Sequence, residues 1–396
     1  MARRSKSKYQ LPSRRRSSGS GRWLGWLLVV ILAGVGVWFW WPAAPVKFPV
    51  AVRAKPVVSA APVVKKIPPA LLVVPPPKFL PPVVVSPPVV VAPSPARVVP
   101  PVASPAAPAG FPHPVMNPLE AQVALARLGI SAGSIDGAIG SQTRQALRQF
   151  QQQNHLPGTG VLDAATRSLL TLEAAPMTTY TVTAGDLARL QPIGKTWLEK
   201  SEQTALDYES EVELVGEFCH AHPSLIRQLN PQINWANLAP GTLLRIPDAH
   251  YPDPADKAAW VIIHLSGKYL EAYDEATNLL LHCPCSIAAH VEKRPVGLLH
   301  VVVVAPHPNY TFDPAVFPES PEARALGRKL ILPPGPNNPV GVAWMGLDRP
   351  GYGMHGTPVP EQVGRTESHG CFRLANWDAE YLVKLVWVGL PVQVVP

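Results

Sequence analysis

Between residues 42 and 114 the chain places 22 of its 49 prolines among Val, Ala and Lys, with no acidic residue. Proline locks φ and lacks a backbone N–H, so a run this dense in it excludes both a helix and a sheet core. The segment is expected to be a disordered linker. In a polyproline II conformation, at about 3.1 Å per residue, it would reach on the order of 200 Å. Two uses stay open for it: a stalk that carries outer domains away from the N-terminus, or an inert connector. Either way it parts the chain into a short N-terminal piece and a long C-terminal region.

The N-terminal piece is basic, then apolar. Residues 1–22 hold eight Lys or Arg, and Trp23 to Trp41 is a nineteen-residue run without a charge. As a helix that run spans about 28 Å, roughly the hydrocarbon core of a bilayer. A basic cytoplasmic arm (1–22) and one transmembrane helix (23–41) are expected, because positive charge stays on the cytoplasmic side. The expected location is therefore the inner (cytoplasmic) membrane, single-pass, with the folded region periplasmic or otherwise extracytoplasmic. Tryptophans at both ends fit an interfacial belt, while Pro42-Ala43-Ala44 keeps a cleaved signal peptide as the alternative. The net charge of +8 belongs to this half. No Asp or Glu precedes Glu120, fifteen of the 35 Lys and Arg do, and the rest carries 20 basic against 27 acidic residues. With no helix-turn-helix, zinc-finger or RNP pattern beside it, that charge does not point to a nucleic acid.

Beyond the linker the pattern is that of a multidomain α+β protein. Residues 115–174 read as a small three-helix module. Asn117 caps, Pro118 takes the first helical position and Glu120 the third, with Leu119, Val123 and Ala126 on one face and Gly129 closing the end. A second helix is expected from Ser141 to Asn154, presenting Ala146, Leu147 and Phe150. A third opens at Asp163 with Leu169 and Leu170 inward. Residues 178–249 show strand and helix signals with a capping box at Ser210-Glu211-Val212-Glu213. From 258 to 396, short apolar runs (Trp260–Leu265, Leu279–His282, Val301–Val304, Val340–Trp344, Pro391–Val395) predict a mainly β sandwich or barrel-like domain. A helix follows from Trp377 or Asp378 to Val388, with Asn376 as its cap.

The chemistry concentrates in His355-Gly356-Thr357 and Ser368-His369-Gly370-Cys371-Phe372-Arg373. A thiol of pKa about 8.5 is only a few per cent thiolate near neutrality, and an imidazole can take its proton or, as imidazolium, stabilise the thiolate. A resting thiolate would require the pKa of Cys371 to be lowered. Gly370 and Cys371 offer N–H groups to an oxyanion. The other cysteines, Cys219, Cys283 and Cys285, are too few for a disulfide scaffold. Cys283 and Cys285 share one face of a strand and read as core. No metal-ligand set or cofactor motif accompanies them.

These two segments closely resemble the L,D-transpeptidase (YkuD-like) catalytic domain, whose signature is His-Gly-Thr followed by Ser-His-Gly-Cys-x-Arg. Arg294-Pro295-Val296-Gly297, Pro334-Gly335-Pro336-Asn337-Asn338-Pro339-Val340-Gly341 and Trp344-Met345-Gly346-Leu347 extend the likeness across about 258–396. The resemblance implies that Cys371 attacks a tetrapeptide stem of peptidoglycan after its third residue, giving a thioester and releasing D-alanine. It makes His355 the general base and the Gly356 carbonyl its orienting partner. His369, Gly370, Arg373, Ser368 and Thr357 would bind substrate or support the loop. Peptidoglycan is then the partner, and the acceptor is an amine, a protein lysine or water. The alternatives are an L,D-carboxypeptidase, a lipoprotein-anchoring enzyme, or a noncatalytic wall tether. Ile135-Asp136-Gly137-Ala138-Ile139-Gly140 through Leu156-Pro157-Gly158-Thr159-Gly160 makes the first module similar to a peptidoglycan-binding domain. Tyr180-Thr181-Val182, Gly185-Asp186, Leu229-Asn230-Pro231 and Ile246-Pro247 make the second resemble a LysM α/β module. Residues 187–209 depart from that pattern, which normally moves almost directly into its first helix.

Overall fold

The computed structural model describes residues 110–317, 319–366, 368 and 370–396. The basic arm, the apolar run 23–41, most of the proline-rich segment and His369 lie outside these residues. Among those described, no helix is long and apolar enough to cross a membrane. They belong to one compact unit, in which three modules share buried contacts.

The linker ends earlier than its proline content suggests. β1 (His113–Pro114) pairs antiparallel with β2 (Thr171–Leu172), and Val115 is buried. Pro114 is tolerated because a two-residue edge strand asks little of its missing N–H. Three helices follow as expected: α1 (Pro118–Ala126), α2 (Ser141–Gln153) and α3 (Ala164–Leu169). Asn117 Oδ1 accepts the Glu120 N–H at 3.0 Å, and Asp163 Oδ1 accepts that of Thr166 at 2.8 Å. Two details differ from the sequence reading. Ala121 through Ala126 are all buried, because α1 shares one apolar cluster with the second module instead of showing it a single face. Leu170 is fully buried, but Leu169 is 48 % exposed.

The second module pairs β3 (Met177–Thr181) antiparallel with β4 (Leu243–Pro247). Between them lie α4 (Ala184–Ala188), α5 (Trp197–Glu202), α6 (Glu211–Phe218) and α7 (Pro223–Leu229). The capping box at Ser210 forms only in half. Glu213 N–H donates to Ser210 Oγ at 3.3 Å, but the Glu213 carboxylate accepts the N–H of Glu209 at 2.8 Å, one residue further out. Complete boxes occur instead at Thr183 with Asp186 and Thr196 with Glu199.

The third module is built on β5 (Trp260–His264), β6 (Tyr269–Tyr273), β7 (Leu279–Pro284), β8 (Gly297–Pro306), β11 (Ala343–Leu347), β12 (Gly353–His355), β13 (Phe372–Arg373) and β14 (Pro391–Val395). They follow one another in the order β13-β12-β11-β8-β14-β5-β6-β7. Two halves are joined through β8: its first residues pair with β14 and its later ones with β11, so one long strand serves both. The expected strand at Val340 starts at Ala343, since Gly341 adopts φ +61 and Val340 donates to Asn338 Oδ1 at 3.0 Å in a turn. α9 runs Asn376–Leu385 with Ala375 at its cap, so Asn376 is helical and its side chain is used elsewhere. The outer edge of β7 is blunted by the first module: His282 N–H donates to Gly129 O at 2.9 Å and Ser131 N–H to His282 O at 2.7 Å. Between β8 and β11 a hairpin, β9 (Tyr310–Phe312) with β10 (Leu330–Leu332), stands apart with α8 (Pro321–Leu326). Cys219, Cys283 and Cys285 are free, buried core residues, and burial pushes the Cys219 thiol up to about 12.

Candidate active site

β12 and β13 run parallel, with Met354 opposite Phe372 and His355 opposite Arg373. A parallel pair cannot be joined by a tight turn, which is why His355 and Cys371 stand sixteen residues apart in the chain yet meet at one sheet end. His355 closes β12, and Cys371 immediately precedes β13. Both line a cavity of about 360 Å³ together with Tyr310, Trp344, Arg373 and Trp197.

His355 is buried, its ring stacked beside Trp344 at 5.6 Å between centroids. Its Nδ1 lies 2.6 Å from Gly356 O. A carbonyl only accepts, so Nδ1 carries the proton and Nε2 keeps its lone pair. Burial drives the His355 pKa down to about 4, with Arg373 adding to the effect and the Gly356 bond opposing it. Gly356 passes the amide of Asn376 so closely that a Cβ there would stand 2.3 Å from Asn376 Oδ1.

The Cys371 thiol donates to Gly351 O at 3.4 Å. Burial raises its pKa, and a hydrogen bond from the Gly353 backbone and the charge of Arg373 recover only part of the shift. The lowered pKa expected of a resting thiolate is therefore not what the surroundings produce. Desolvation disfavours the charged form of both partners, so the resting pair is a thiol and a neutral imidazole.

The supporting residues divide. Ser368 is buried and holds the turn: its hydroxyl donates to Cys371 O and accepts the Gly370 N–H at 3.3 Å. That engages one of the two amides expected for an oxyanion. Thr357 N–H donates to Asn376 Oδ1 at 3.1 Å, and Thr357 Oγ1 accepts the Val359 N–H at 3.4 Å. Arg373 pairs through its backbone with Ser286 at 2.9 and 3.1 Å, and its side chain lines the Cys371 cavity. Three residues that the sequence reading left out of the site also belong here. Tyr310 and Trp197 line the cavity. Asn376 ties the His355 segment to α9 and to Glu217 of the second module, to which its amide donates at 2.8 and 3.1 Å. None lies within the signature segments, so local pattern held no signal for them. Among the described residues no group of three or more His, Cys, Asp or Glu side chains is placed to hold a metal.

Residues 258–394 match the family model of the L,D-transpeptidase catalytic domain, and residues 117–170 that of a peptidoglycan binding domain. A Bacillus licheniformis protein named as an L,D-transpeptidase, YkuD, is 27 % identical over 43 % of this chain and 84 % of its own length. An Escherichia coli protein named as a probable L,D-transpeptidase, YbiS, is 30 % identical over 43 % of this chain, which spans only 55 % of that relative. Among solved structures, an L,D-transpeptidase from Mycobacterium smegmatis is 16 % identical, covering 40 % of this chain and 76 % of its own, with a TM-score of 0.27.

Proposed function

From an L,D-transpeptidase catalytic domain set beside a peptidoglycan-binding domain in one chain, we propose an enzyme that remodels peptidoglycan stems through a thioester on Cys371. The observation that carries this reading is the pairing of β12 with β13, which brings the free thiol and a neutral, oriented imidazole into one cavity. As Cys371 Sγ attacks the carbonyl after the third residue of a tetrapeptide stem, His355 Nε2 takes the thiol proton. The tetrahedral oxyanion is met by the Cys371 N–H, and Ser368 fixes that turn. Collapse breaks the peptide bond, and the imidazolium hands its proton to the departing D-alanine amine. An amine of a second stem then attacks the thioester, His355 accepts its proton, and the thiol is released with a new crosslink.

The remaining parts of the chain fit delivery of that chemistry. Residues 23–41 are long and apolar enough for a single span, the proline-rich segment is a spacer, and the first module holds the wall. The strand order of the second module, two antiparallel strands enclosing helices, supports a LysM-like unit with a role on the glycan.

Product analysis of the full chain on disaccharide tetrapeptides tests the reading by mass. Crosslinked dimers and free D-alanine are expected from the wild type, and neither from Cys371→Ala. Tripeptide alone would make water the acceptor and the enzyme a carboxypeptidase. Normal crosslinking by Cys371→Ala would sink the mechanism, and sacculus binding without any turnover by the wild type would leave a tether.

A further inference from the structure

Within residues 187–209, the stretch that departs from the LysM pattern, Ile193, Trp197, Leu198 and Leu206 pack into the third module, while Leu187, Leu190 and Tyr208 stay on the cluster of the second. Trp197 of α5 stacks on Phe312 at 4.3 Å and 16°, with Phe317 at 6.0 Å and Tyr310 at 6.4 Å, and its backbone N–H donates to the Glu322 carboxylate. Leu206 is fully buried in the apolar cluster of the β9–β10 hairpin. Its N–H donates to Pro334 O at 2.9 Å, and its carbonyl accepts the Asn337 N–H at 2.9 Å. The approach is so close that a Cβ on Gly335, at φ +146, would stand 2.1 Å from Leu206 O. The stretch is thus fixed in place, and what it presents to the active site is defined.

Trp197, Pro339 and Arg373 each line two cavities. One is the cavity that holds Cys371, and the other, of about 410 Å³, is lined further by Lys200, Ser286 and Thr357. Lys200 sits one helical turn from Trp197, with its ammonium 5.6 Å from that ring's centroid. The described lining residues of the second cavity include two cationic side chains and no acidic one. A concave site lined by one sign of charge concentrates ligands of the opposite sign, and carboxylates are the peptide groups that Lys and Arg recognise. We propose that this second cavity is a subsite for a carboxylate-bearing stretch of stem peptide, with Lys200 and Trp197, supplied by the second module, determining its specificity. Trp197 forms the wall shared with the Cys371 cavity, and Lys200 selects the charge. The inference rests on the function proposed above.

The test uses the full chain with two substrates, a disaccharide tetrapeptide and its counterpart with the stem carboxylates amidated. Lys200→Glu is expected to raise KM for the carboxylate stem about tenfold and for the amidated stem less than about twofold, the loss falling on KM and not on kcat. Lys200→Met should lie between wild type and Lys200→Glu, which separates a charge effect from a folding defect. Trp197→Ala should raise KM for both stems, because it removes the wall and not the charge. Equal shifts for the two stems in Lys200→Glu, or none, would overturn the subsite while wild-type turnover upheld the function. A wild type that turns over neither stem would overturn the function, and the subsite with it.

Discussion

His355 is held between two influences of opposite sign: burial, which favours the neutral ring, and the Gly356 carbonyl, which favours the charged one. Burial prevails, and this fixes what pH must do. A free histidine loses its basic form as pH falls through about 6.5, whereas His355 keeps its lone pair down to about 4. The acid limb of Cys371 acylation by a carbapenem probe should therefore fall near pH 4. A limb at 6.5 would mean that the ring is solvated or paired when the probe binds. That His355 and Cys371 share a site was suggested in the sequence by the resemblance of their two segments to the L,D-transpeptidase signature, and the structure sets both on one cavity. Their protonation states were not legible in the sequence. A motif states which atoms meet, but the shifts come from burial by Tyr310, Trp344 and other chain-distant neighbours, which no local pattern contains.

At the level of elements, α9 shows where a correct local signal served another purpose. Asn before an apolar run reads as a cap, yet Asn376 lies inside the helix and uses its amide between modules. Its Oδ1 accepts from Thr357 and Val342 at 3.1 and 3.4 Å, and its Nδ2 donates to Glu217 and to Pro336 O. Asn376→Ala would leave buried backbone N–H groups unsatisfied, at about 1–3 kcal/mol each, and would free the segment that carries His355. We expect a loss of about 2 kcal/mol in urea unfolding, together with slower Cys371 acylation. Wild-type stability in this variant would show that water replaces the amide. Most strands of the third module were legible from apolar runs between turn residues. The order in which they join was not, because it depends on β8 pairing with β14 and β11 along different parts of its length.

Across the molecule the first module, the third and the segment that follows the second converge on one buried carboxyl. Asp378 on α9 is fully buried, and it accepts hydrogen bonds from Ser131 of the first module at 3.3 Å and from Tyr251, which follows the second. No local pattern could show this convergence, since Ser131 and Asp378 lie 247 residues apart. Burial raises the Asp378 pKa from 3.8 to about 7, and its two hydrogen bonds offset only part of that. The folded state therefore binds a proton that the unfolded chain releases near pH 4, so this group makes stability fall as pH rises from about 4 to about 7. A carboxyl displaced that far corresponds to roughly 4 kcal/mol across the window. His355 and His220, held down to about 4 and about 3 by burial, act in the opposite sense below about 6.5, so the contribution of Asp378 is read as a difference between variant and wild type. Asp378→Asn keeps an acceptor for Tyr251 and can donate to Ser131, but it cannot ionise. Its stability relative to wild type, measured by chemical unfolding, should rise steadily between pH 4 and pH 7. A difference that stays constant across that range would mean that Asp378 is ionised in the folded protein and that the modules meet around a charge.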